Sequence, residues 1–111
     1  MASFDINNFV KAVLTNASNL AATLFKSYAG QAETDASTFV QTAKAGIARA
    51  VSLYQQGKID KDELEDLIQG KKDLAVMHAL KDAGLASAAI DTFVNGLIQI
   101  MIDAVFAALK I

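Results

Sequence analysis

The chain contains no cysteine, no proline and no tryptophan, and only one histidine. Without cysteine, disulfides, thiolate metal sites and thiol nucleophiles are excluded. One histidine cannot supply the two Glu-x-x-His pairs that a di-iron centre in a helical bundle requires. As a general base, His78 would need a nucleophile and an orienting acid beside it. Asp82 lies one helical turn away, a pairing too common to carry weight. There is also no Gly-rich phosphate loop, nucleophile elbow or HExxH motif. No enzymatic activity, cofactor or metal is therefore expected.

Charge is scarce as well. Charged residues make up 20% of the chain and hydrophobic ones 53%, above the usual ~45–50%. Net charge is −2 with no basic block, so no phosphate-neutralising surface and no nucleic-acid partner are expected. The charges are unevenly spread. Twelve of the twenty-two lie between Lys58 and Asp82, whereas Asn7 to Gln31 holds only Lys11 and Lys26. The opening stretch "MASFDINNFV" has no basic run leading into an apolar one, so a classical signal peptide is not expected. Cytoplasmic residence is the default expectation.

What is present is helix-forming sequence punctuated by glycine. Alanine and other helix formers dominate, and no alternating β-branched run suggests a strand. Gly30, Gly57 and Gly84 are each 27 residues apart, and another 27 reaches Ile111. Glycine is favoured just past a helix end because it adopts the left-handed conformation without a Cβ penalty. After Gly57, Asp60 followed three residues later by Glu63 has the arrangement of a capping box. After Gly84, Leu85 suits the hydrophobic contact of a Schellman ending and Ser87 suits a cap. The repeat between "DINNFVKAV" from Asp5 and "DASTFVQTA" from Asp35 suggests two helices that begin alike, with a turn at Gly30. The spacing predicts one domain, residues 1–111, with helices over 5–29, 32–56, 60–83 and 87–110. Connections this short give an antiparallel up-down-up-down four-helix bundle or two helical hairpins.

Helical periodicity assigns the faces. The first helix buries Ile6, Phe9, Val10, Val13, Leu14, Ala17, Leu20, Ala21, Leu24, Phe25 and Tyr28, and shows water an almost uncharged face of Asn and Thr. The second gathers Phe39, Val40, Ala43, Ile47, Ala50, Val51 and Tyr54. Its row Thr42, Gly46, Ala50 reads as a close approach of another backbone. The third buries Leu64, Leu67, Ile68, Leu74 and Ala75, with His78 as a half-buried packing residue and Gly70 as a place for a kink.

The fourth helix breaks the one-face rule. Phe93, Val94, Leu97, Ile98, Ile100, Met101, Ile102, Val105, Phe106 and Leu109 cover most of its circumference. Across it runs a polar stripe at a spacing of four: Asp91, Asn95, Gln99 and Asp103. A helix apolar nearly all round is buried nearly all round, which points to a second copy at this surface. Asp103 would then need a partner at the seam, with Lys110 as the candidate. A transmembrane span has the length it needs. Two Asp, an Asn and a Gln would have to enter with it, at ~2.5–3.5 kcal/mol for each Asp at mid-membrane.

One motif resembles a known metal site. The stretch "GKIDKDE", Gly57 to Glu63, is similar to the second half of a calcium-binding EF-hand loop. Such a loop needs oxygen ligands at its first, third and fifth places, and these fall on Ser52, Tyr54 and Gln56. The carboxylates are missing where ligation begins, and calcium is not expected. The expectation is thus a non-catalytic, self-associating structural or assembly protein whose partner is itself. The alternatives are a membrane-active, pore-forming or holin-like protein, and a small adaptor that binds another helical protein.

Overall fold

The computed structural model describes residues 4–111 and is all-helical. The first three residues, part of the opening stretch read for a signal, lie outside the described region. The body is elongated, measuring 44 × 21 × 19 Å.

Helix α1 spans Ile6–Leu24. Asp5 caps it, its Oδ1 accepting from the amides of Asn7 at 3.0 Å and Asn8 at 3.1 Å. Phe9, Val13, Ala17 and Ala21 form its buried row. The chain leaves the helical path at Phe25 (φ −133°, ψ 69°), four to five residues before the expected turn. There the Phe25 ring is buried edge-on against Phe93, with centroids 5.4 Å apart. Helix α2 then runs Ala29–Gln55, so Gly30 is a helical residue with open space around it. A glycine inside a helix costs only ~1 kcal/mol, too little to set a boundary against the burial of an aromatic ring. Leu24 and Tyr28, expected inside, are exposed at this turn.

Helix α2 buries Phe39, Val40, Ala43, Ile47, Ala50 and Val51 as its periodicity requires. It ends in a Schellman motif, with Gly57 at φ +75° and Lys58 N–H donating to the Leu53 carbonyl at 2.9 Å. The capping box follows. Asp60 Oδ1 accepts from Glu63 N at 2.8 Å, and Glu63 Oε1 accepts from Asp60 N at 3.1 Å.

The third helix differs most from expectation. Instead of one helix over 60–83, α3 spans Lys61–Gln69, a 3-10 segment covers Gly70–Leu74, and α4 covers His78–Asp82. The phase of the apolar residues explains the break. On one straight helix at about 100° per residue, Leu64 and Leu80 would point roughly 160° apart. Both are fully buried, so the chain must unwind and restart to deliver each to the core. Leu67 and Leu74, assigned to the buried face of a continuous helix, are exposed, and so is His78.

A second Schellman motif closes α4. Gly84 sits at φ +86°, and Leu85 N–H donates to the Leu80 carbonyl at 3.2 Å. Helix α5 spans Ser87–Leu109. Ser87 is its first residue and not its cap; Ala86 holds the cap position with no side-chain bond. In the packing, α1 lies against α2 and α5, α2 also meets α3 and α4, and α3 with the 3-10 segment meets α5. Lys61 Nζ sits 4.9 Å from the Phe106 ring centroid, tying the start of α3 to the end of α5. The Thr42, Gly46, Ala50 row is approached by a side chain, not a backbone. A Cβ at Gly46 would lie 2.5 Å from Lys71 Nζ.

Candidate interaction surface on α1 and α5

Phe93, Val94, Leu97, Ile98, Met101, Ile102 and Val105 are buried within the chain itself, and Ile100, Phe106 and Leu109 are partly buried. The apolar surface of α5 is therefore largely covered by α1, α3 and the 3-10 segment. The fold itself thus hides most of the apolar residues of α5. The polar residues occupy the remaining arc: Asp91, Asn95, Gln99 and Asp103 are all exposed.

These four do not form a straight line. Steps of four residues turn about 40° each around a helix, so the stripe winds. Asp91 and Asn95 border a cleft with Lys72, Asp73 and Lys81. Asn95 and Gln99 border another with Gln69 and Lys72. Asp103 has rotated to the opposite flank, toward α1. Its carboxylate Oδ1 accepts from Gln99 Nε2 at 2.8 Å, a neighbour on its own helix in place of the expected Lys110.

On that flank lies an open groove between α1 and α5, about 900 Å³ in volume. Its α1 wall carries Asn8, Ala12, Asn16, Asn19 and Thr23, and its α5 wall Ile100, Asp103, Ala104, Ala107 and Ala108. The spacing of three and four along α1 places these residues on one face. Toward one end, Leu20 of α1 leans over Gly96 of α5, where a Cβ would lie 2.5 Å from Leu20 Cδ2. The two acids at the groove, Asp5 and Asp103, are each engaged within the chain, one capping α1 and the other bonded to Gln99. What remains is a trough floored by methyl groups and edged with neutral amides that both donate and accept.

His78 is exposed at the start of α4, and the groove is lined by other elements. Among the described residues, no three His, Asp or Glu side chains are grouped to hold a metal ion. Ser52 and Tyr54, two of the first ligand places of the EF-like stretch, lie within α2. Helix α5 is long and apolar enough to cross a membrane by length and composition, a test that a buried core helix also passes.

Two features of the structure have only a weak signal in the sequence. One is the groove, for which Ala104, Ala107 and Ala108 at helical spacing opposite the uncharged α1 face are the signal. The other is Asp35, which is 6% exposed and accepts from the amides of Ala79 at 2.9 Å and Leu80 at 2.8 Å. Comparison with known proteins found no match among family models, curated proteins or solved structures.

Proposed function

We propose that the protein is a non-catalytic helical module that self-associates, a second copy laying a helix into the groove between α1 and α5. The observation that carries this reading is the composition of that groove and of the α1 face beside it. From Asn7 to Gln31 the chain has only two charges, and apart from Lys11 and Leu24 the exposed residues of α1 are Asn, Thr and Ala. Isolated soluble domains usually keep their surfaces charged and mixed, whereas the core of an interface is depleted of charge. The charged third arm supplies the solvated face of the same molecule.

Light scattering at micromolar concentration, without detergent, tests the reading. A stable oligomer is expected, and Ala12→Glu or Ala108→Glu should reduce it to monomer while leaving thermal unfolding of the chain cooperative. A monodisperse 11.8 kDa monomer would overturn it.

A second reading rests on α5 alone. Its 23 residues meet the length and composition of a membrane span, which supports a membrane-active role. Dye leakage from anionic liposomes, reduced by Ile100→Asp, would favour it over self-association in buffer.

A further inference from the structure

Residues 70–84 are fastened to the rest of the molecule in an unusual way. Helix α4 has five residues, far too few to be stable unaided. Its N-cap residue, Met77, contributes no side-chain bond. The amides left open at the second and third helical positions are instead satisfied by Asp35, a buried residue inside α2. Helix α4 has α2 as its principal neighbour. Ahead of it, the 3-10 segment buries no residue, and Leu74 and Val76 are 42% and 46% exposed. Met77 lies at φ 57°, ψ 49°, a left-handed conformation that non-glycine residues disfavour. The segment begins at Gly70, which has open space around it, and closes at Gly84 in positive φ.

We infer that residues 70–84 form a strap that opens as one unit, and that Asp35 is the latch that holds it shut. Besides the packing of the 3-10 segment on α2, α3 and α5, the strap is held by the Asp35 carboxylate and the buried side chains of Met77 and Leu80. Its helical bonds depend on one another. Lys81 N–H donates to the Met77 carbonyl, Ala83 N–H to that of Ala79, and Leu85 N–H to that of Leu80. Loss of the cap frays the first turn, and with so short a helix the first turn is most of it. Opening bares Met77 and Leu80 together with the part of α2 around Asp35, while α1 and α5 keep their mutual packing. Local opening of this kind draws on the least stable units of a fold.

Residue-resolved amide hydrogen exchange on the full chain tests this. In Asp35→Ala, exchange should rise about tenfold or more, the size of a lost helix cap, at Lys81, Ala83 and Leu85 together. In the unaltered chain these three should exchange faster than Leu97 and Met101 in α5 and with a weaker dependence on denaturant, as a local opening requires. Asp35→Asn, which keeps one carbonyl acceptor, should show a smaller rise at the same three positions, and it decides the matter should the alanine variant not fold. Exchange at these three positions with the rate and denaturant dependence of Leu97 and Met101 would mean that they open only with the whole fold and would overturn the strap. A change confined to Ala79 and Leu80, or no change at all, would overturn it equally.

Discussion

Asp35 and Leu80 stand 45 residues apart in sequence and are joined by a 2.8 Å hydrogen bond from the Leu80 amide to the Asp35 carboxylate. The second carboxylate oxygen takes the neighbouring Ala79 amide. A helix cap is ordinarily drawn from the residue just ahead of the helix. Here it comes from another helix, and the bond couples local helix formation to tertiary packing. Removing a partner from buried amides leaves the donors desolvated at about 1–3 kcal/mol each. For the two amides together, Asp35→Ala should therefore destabilise the chain by about 2–6 kcal/mol in urea or thermal unfolding, and Asp35→Asn by less. A loss below 0.5 kcal/mol, about the range of neutral surface changes, would show that water replaces the carboxylate.

Helix ends give a prediction with two signs. Lys110 is exposed and sits at φ 58° beyond α5, while Gly57 and Gly84 occupy the same region at φ 75° and 86°. Lys110→Gly should raise stability by about 0.5–1 kcal/mol, since glycine enters this conformation without a Cβ clash. Gly57→Ala and Gly84→Ala should each lower it by about 1 kcal/mol or more. Melting temperatures of the three variants check the pattern, and equal signs would refute it.

The two glycines with close neighbours should also diverge. A Cβ at Gly46 meets the far end of Lys71, a flexible chain that can swing into water, whereas a Cβ at Gly96 meets a Leu20 methyl packed between α1 and α5. Alanine gains about 1 kcal/mol over glycine in a helix. Gly46→Ala should keep most of that gain, and Gly96→Ala should lose it to displacement of Leu20. Denaturation midpoints measured side by side decide this.

Asp103 offers a test of the polar stripe. It is exposed and bonded to Gln99 within one helix, and exposed polar contacts contribute little. Asp103→Leu should change stability by less than about 0.5 kcal/mol. A fall of several degrees in melting temperature would reveal a buried partner for Asp103 in the assembled state.

Helix content, the ends at Gly57 and Gly84 and the capping box were legible in the sequence because each rests on local chemistry. Asp60 and Glu63 are three residues apart and satisfy each other whatever the rest of the chain does. The turn at Gly30 was misplaced because its position depends on Phe25 reaching Phe93, a contact made only after α1 and α5 meet. The break in the third arm was half visible. The phase conflict between Leu64 and Leu80 is in the sequence, but Leu67 and Leu74 offered an equally continuous stripe. The resemblance between the Asp5 and Asp35 segments suggests two helices that begin alike, but no helix begins at Asp35, which lies inside α2. Asp5 caps its own helix, and Asp35 caps one that lies 43 residues further on. The apolar excess of α5 was read correctly as buried, yet sequence alone does not say whether the cover is the same chain or another.

The break between Ile68 and Met77 also decides where this chain tolerates a change of length. One residue inserted within α1, α2 or α5 rotates everything beyond it by about 100° and turns a buried row toward water. The 3-10 segment and the stretch that follows it have no helical register to preserve, and residues 72–74 and 76 are exposed. A residue added there is taken up as slack before Met77, and α5 keeps its place against α1. Of the connections in the molecule, this one is suited to accept insertions, a peptide tag or a reporter loop among them.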